Sequence, residues 1–188
     1  MLLQTAIWLM AVLTGTQAAP ANAAEVFDMT ATAKAGPAAA GTLTIPITIR
    51  IDRYTSATER AKMIDGLKYG GYPGFLNALR DAPAAGSLDV GDQKFVVRWA
   101  RTEPAGSGRT VTIVTDKPVY FIGSGGASSK PKAGYEVAVV TLNLDAGGKG
   151  DGTMAAAARV KPRGTTGFVV DDYAETPLKL TATAHGGR

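Results

Sequence analysis

Residues 55–82 read TSATERAKMIDGLKYGGYPGFLNALRDA, the one stretch beyond the leader that does not resolve into strands and turns. Ala57, Ala61, Ile64 and Leu67 recur at i, i+4, i+7 and i+10, which sets them on one face of a 3.6-residue period. Met63 widens that stripe, while Glu59, Arg60, Lys62, Asp65 and Lys68 cover the other side. Ser56 with Glu59 three residues on predicts a capping box, and Gly70-Gly71 predicts a C-terminal stop. Gly66 is expected to weaken the last turn, by roughly 1 kcal/mol relative to alanine. Pro73 suits the first position of a second, shorter helix that carries Phe75, Leu76 and Leu79 inward and stops at Pro83. Helices this short are marginal alone in water, so their apolar face must be buried against something.

The flanking sequence supplies that something. Residues 25–34 alternate as a strand, and 42–53 give the clearest signal, with Leu43, Ile45, Ile47, Ile49 and Ile51 on one face. Pro46 cannot donate to a ladder, which predicts an edge strand or a bulge there. Beyond the insertion, strands are expected at 87–90, 94–102 (Phe95, Val97 and Trp99 inward, Arg98 outward), 109–115 and 119–122. EPAGSG at 103–108 is a hairpin loop by composition, and GSGGASSKPKAG at 123–134 is a candidate mobile loop. Residues 135–145 form a long strand whose phase slips between Val139 and Val140, predicting a bulge or burial on both faces. Residues 153–160 pair back with Met154, Ala156, Ala158 and Val160 on one side, and the alanines predict that the helix packs there. Strands at 167–171 and 178–184 finish the chain. The expected fold is mainly β with one helical insertion: an antiparallel barrel-like sheet of about nine strands covered by the helical segment, with a two-sheet sandwich as the alternative.

The leader, residues 1–23, joins a short apolar run to Ala21-Asn22-Ala23, the small-x-small form of a signal peptidase site. Cleavage is expected after Ala23 or Ala24, with Ala19 as an alternative, although no Lys or Arg precedes the apolar run, as if the true start lay a few codons upstream. Residues 24–188 then form a single domain, secreted or periplasmic, with the insertion at 55–82 and no further transmembrane segment. The formal charge of +4 is spread thinly, without a basic run interleaved with aromatics, so nucleic acid is not an expected partner. With no cysteine, thiol catalysis, thiolate metal sites and disulfides are excluded.

Candidate chemistry is sparse. His185, the single histidine, stands three residues from the end in a glycine-rich tail, and a frayed tail is a poor place for a general base. A Ser-His-Asp triad and His-rich zinc sites are disfavoured with it. Asp116, Asp171 and Asp172 are the carboxylates a hydrolase or lyase would use, but Asp171 and Asp172 as strand neighbours should face opposite ways. Asp172 and Glu175 with loop carbonyls offer a calcium alternative, set against a plain turn before Pro177. DAGGKGD at 145–151 lacks the alternating ligands of a calcium loop and predicts a hairpin. GSGGASSK at 123–130 has Ser before Lys and Pro after it, unlike a phosphate loop. Tyr69, Tyr72 and Phe75 cluster at the glycine-rich break, and with Trp99 they are the candidate ligand contacts, or else caps on the sheet.

Gly108-Arg109 leading to Thr115-Asp116-Lys117-Pro118, then Leu144-Asp145 with Gly148-Lys149-Gly150 and Gly152, then Asp172-Tyr173-Ala174 with Pro177, make an ordered set of turn motifs. Behind a signal sequence and an amphipathic helical segment, the set resembles a group of uncharacterised exported proteins of environmental bacteria. That resemblance implies export and assigns neither activity, cofactor nor site residues. The expectation is therefore a non-enzymatic binding or accessory protein of the bacterial envelope, holding a small apolar ligand or, alternatively, serving as a protein–protein subunit of an envelope assembly. No cofactor is expected.

Overall fold

The computed structural model describes residues 24–34, 42–119, 132–165, 167–174 and 176–186. The leader, the loop after Lys34, most of the 119–122 strand, most of the 123–134 loop and Glu175 lie outside the described residues. Within them the chain runs β1 (Glu25–Lys34), β2 (Thr42–Ile51), α1 (Ala57–Asp81), β3 (Gly86–Val90), β4 (Gln93–Ala105), β5 (Gly108–Thr115), β6 (Val137–Leu144), β7 (Lys149–Arg163), β8 (Gly167–Tyr173) and β9 (Leu178–Gly186).

Every pairing is antiparallel, in the order β6-β5-β4-β3-β2-β1-β9-β7-β8, and β6 also pairs with β7. That last pairing closes eight strands into a barrel and leaves β8 as an extra strand. The barrel, not the sandwich, is the fold. β7 makes this possible by its length: residues 149–154 pair with β9, while 158–163 pair with β8 on the same edge. β8 and β9 are thus successive strands laid along one neighbour, and the β7–β8 end of the ribbon overhangs the barrel.

Two apolar clusters follow from period-two alternation. Phe27 and Met29 from β1, Ile47, Ile49 and Ile51 from β2, and Leu88, Ile113, Val140, Leu142 and Met154 pack inside the barrel. An eight-stranded barrel is just wide enough for its side chains to fill it. Val114, Val137, Val139, Ala155, Ala158 and Val160 face outward, where they would be an exposed apolar patch without a cover. α1 is that cover: Met63, Ile64, Leu67, Phe75, Leu76 and Leu79 are buried against them. Each such side chain taken from water stabilises the fold by about 1.5–3 kcal/mol.

Three expectations change here. β2 is an interior strand, paired with β1 along its whole length; β3 stops at Val90 opposite Ile47, so Pro46 stands one residue beyond that neighbour, where no ladder partner is needed. The 103–108 loop is shorter than its composition suggests. β4 and β5 pair as far as Ala105 and Gly108, and the turn is Gly106-Ser107, with Gly106 at φ 59°. Finally, Met154 and Ala156 face the barrel while Ala158 and Val160 face the helix, because a register shift opposite Val137 and Val139 reverses the phase of β7. β6 is buried on both faces, as its sequence predicts, and the alanines do lie under α1.

α1 is two helices joined at Gly71, whose φ of 63° and ψ of −161° are far from helical. The capping box forms: the Ser56 hydroxyl accepts from the Glu59 N–H at 3.2 Å, and the Glu59 carboxylate accepts from the Ser56 N–H at 2.7 Å. Gly66 has a role the sequence did not disclose. A Cβ there would stand 2.7 Å from the Gly74 carbonyl oxygen, and one on Gly74 would stand 2.4 Å from that of Gly66. The two helices touch backbone to backbone, and only glycine permits it.

Gly74→Ala should therefore lose about 1–3 kcal/mol of stability. Gly70→Ala, with nothing within 4 Å of its added methyl, should gain about 0.5–1 kcal/mol. Urea denaturation of the two variants checks both signs. The cap has its own pH signature. The Arg53 guanidinium, bonded to both carboxylate oxygens at 2.9 Å, holds the Glu59 carboxyl down at about 2, with the Ser56 N–H adding to the effect. A depressed carboxyl stabilises fully above its ordinary value of 4.5 and loses that contribution as pH falls toward 2. Glu59→Gln should cost about 1–2 kcal/mol at neutral pH. The gap from the unsubstituted protein should close in denaturation curves taken between pH 5 and about 2.

Candidate functional site

Trp99 begins the site. Alternation from Phe95 and Val97 would point it into the barrel, but the β4–β5 register shifts between Val97 and Trp99. Ala100 takes the inward position and Trp99 turns out beneath α1. There it meets Phe168 of β8 edge-on, with ring centroids 5.1 Å apart and planes at 72°, and Phe168 in turn meets Phe75 at 5.7 Å. Trp99 is 1% exposed, and no acceptor among the described residues reaches its buried Nε1–H. An indole N–H normally finds a partner when buried.

Beside this aromatic group lies an open cleft of about 500 Å³. One wall is the outer face of β4 and β5: Trp99, Arg101 and Glu103 follow each other at period two, and Thr112 is registered opposite Arg101. The other wall is the β7–β8 turn, where Arg163 pairs with Gly167 and Gly164 turns the chain at φ 61°. Phe168 and Trp99 supply the apolar part of the lining. Arg101 bonds Glu103 at 2.7 Å, whereas Arg163 makes no ion pair among the described residues. Two cations stand at the margin: Lys68 of α1 donates to the Thr165 carbonyl at 2.8 Å, and Arg60 lies close enough for Arg101 and Glu103 to act on its charge. Burial is the main influence lowering the Arg60 pKa.

A second polar group sits at the foot of the β7–β8 ribbon. A register shift between Arg159 and Val160 brings Asp171 and Asp172 to the same guanidinium, at 3.4 and 3.9 Å from Arg159, so the two do not face opposite ways as plain strand alternation predicts. Lys161 bonds Asp171 at 2.8 Å, and the Tyr135 hydroxyl donates to Asp172 at 2.5 Å. The Lys161 bond lowers the Asp171 carboxyl, the Tyr135 bond lowers Asp172, and the same bond raises the Tyr135 phenol. Carboxylates pinned in their ionised form by cations and donors are poor proton donors near neutrality.

Asp116 belongs to neither group: it is buried and bonds Arg98 at 2.9 Å, while Arg98 also donates to the Ala82 carbonyl at the end of α1. The ion pair lines a second cleft, of about 450 Å³, with Phe95 and Lys117, and it serves to seat the helix. His185 is not in a frayed tail. It is paired with Val26 in β9 and lies 3.2 Å from Asp28 across the strands. The 145–151 stretch is the hairpin expected, with Asp145 Oδ1 accepting the Lys149 N–H. No three His, Asp or Glu side chains converge on a point among the described residues.

Of the four aromatic candidates, Trp99 lines the cleft and Phe75 is buried behind it through Phe168. Tyr72 is held under the helix, its hydroxyl accepting from the Glu136 N–H at 2.8 Å and donating to the Ala158 carbonyl at 3.3 Å, and burial pushes its phenol up. Tyr69 stands apart, 87% exposed. Arg101, Glu103, Arg163 and Phe168 were not singled out from sequence, although a period of two from Trp99 leads directly to Arg101 and Glu103.

Compared with protein-family models, curated proteins and solved structures, the chain matches none.

Asp172→Asn removes the carboxylate charge that, through its hydrogen bond and its field, raises Tyr135, so the Tyr135 phenol should titrate at lower pH. Ultraviolet difference titration checks this, with Tyr135→Phe assigning the signal.

Proposed function

We propose that the protein is a non-enzymatic binding protein of the bacterial envelope, and that its ligand occupies the cleft between the outer face of β4–β5 and the β7–β8 turn. The observation that carries this reading is the cleft's own composition. Two aromatic rings, Trp99 and Phe168, and two arginines line a concavity of about 500 Å³, within the usual size of small-molecule sites. The barrel interior is the less suitable place, because Phe27, the β2 isoleucines, Leu88, Leu142 and Met154 pack together there. A lining with this many charges favours a ligand with a polar end over the wholly apolar one suggested by the helix and its aromatics.

Binding rather than catalysis fits the carboxylates. Asp116, Asp171 and Asp172 are each engaged by an arginine or lysine, and none of the three lines the cleft. The leader sequence is the support for placing the protein in the envelope.

Thr112→Trp should fill the cleft from a strand position whose side chain points away from the barrel core. In native mass spectrometry of the full chain purified from its native host, the unsubstituted protein should carry a bound small molecule and Thr112→Trp should not. A protein that carries nothing, or a Thr112→Trp variant that keeps the molecule, would remove this reading.

A further inference from the structure

We infer that the cleft selects a small carboxylate attached to a flat apolar group, an aromatic carboxylate of one-ring size; this rests on the reading that the cleft is the binding site.

Charge sets the first part of the class. Arg101 and Arg163 line the cleft, Lys68 and Arg60 stand at its margin, and Glu103 is the one carboxylate among these groups. Among the described residues four cations stand against one carboxylate, which favours an anion, and with Glu103 held by Arg101 the excess rests on Arg163, Lys68 and Arg60. Glu59, the other acid that acts on Arg60, is committed to Arg53. Lys68 and Arg60 each donate to a backbone carbonyl, whereas Arg163 makes neither an ion pair nor a side-chain hydrogen bond among the described residues, and a guanidinium presents a planar fork that matches a carboxylate with two parallel N–H donors.

Position sets the second part. Arg163 stands at the β7–β8 turn, whereas Phe168 and Trp99 lie deeper on the adjoining strands. A molecule anchored at Arg163 would carry its remaining atoms toward Phe168, where an apolar ring gains by leaving water and an inorganic oxyanion gains nothing. A neutral apolar ligand would bury the Arg163 guanidinium without a partner among the described residues, which is unfavourable.

Isothermal calorimetry on the full chain with trans-cinnamate, its neutral amide cinnamamide and inorganic phosphate tests the class. Cinnamate should bind saturably, and both cinnamamide and phosphate should bind about tenfold or more weakly. Arg163→Gln should weaken cinnamate by about tenfold while leaving the thermal midpoint unchanged, since the Arg163 side chain is exposed and makes no ion pair among the described residues. In a Trp8→Phe background, which leaves Trp99 as the sole tryptophan, cinnamate should change the tryptophan fluorescence. Cinnamamide or phosphate binding as tightly as cinnamate, an Arg163→Gln variant of unaltered affinity, silent Trp99 fluorescence, or no cinnamate binding would each overturn the inference. If a bound molecule sensitive to Thr112→Trp is nevertheless found by mass spectrometry, the cleft stands and only the ligand class is lost.

Discussion

Two hydrogen bonds between Thr55 and Ala100 fasten the helical insertion to the barrel: the Thr55 N–H donates to the Ala100 carbonyl, and the Ala100 N–H donates to the Thr55 hydroxyl, at 2.9 and 2.8 Å. Thr55 is 2% exposed, so neither bond competes with water. At the other end of the insertion, Arg98 holds the Ala82 carbonyl and the Ala85 N–H donates to Val97. Both ends of the helical segment are thereby tied to β4, on either side of the irregularity that turns Trp99 outward. The helix, the outward tryptophan and the cleft beside it depend on this local arrangement of one strand.

Register shifts, rather than unusual residues, build the site. Each of the three shifts in β4, β6–β7 and β7–β8 moves side chains from one face of the sheet to the other. The first delivers Trp99 to the helix side, the second gives β7 an inward half and an outward half, and the third gathers Asp171 and Asp172 around Arg159. A barrel of strict alternation would have put the tryptophan in the lumen, although Val114, Val137 and Val139, which face outward by plain alternation, would still need a cover.

This explains which parts of the molecule were legible in the sequence. The capping box at Ser56 and Glu59, the glycine break before Pro73, the alternation of β1 and β2 and the alanines of β7 are local signals, and the structure follows them. The side on which Trp99, Ala158 or Asp171 falls depends on a bulge, and a bulge is decided by pairing with a distant partner. Arg98 and Trp99 are consecutive residues of an ordinary-looking strand; nothing in their own neighbourhood marks the extra residue. Likewise, Gly66 reads as a weak point in a helix until Gly74 is known to rest against it. Arg163 and Phe168 reach Trp99 only because β8 is laid back along β7, a topological fact with no short-range trace.

The barrel's closing seam has a consequence for how the chain acquires its shape. β1 pairs on one side with β2, its neighbour in sequence, and on the other with β9, where Glu25 is registered against Gly186. The ring therefore cannot be completed until nearly the whole described chain is present, and its final ladder joins residues at the extreme of sequence separation. Contacts of that range carry a high loop-closure entropy and slow the search for the native state. Until β9 arrives, the edges it will cover on β1 (Glu25–Thr32) and on β7 (Lys149–Met154) stay unpaired, the form of strand most prone to pair with another chain.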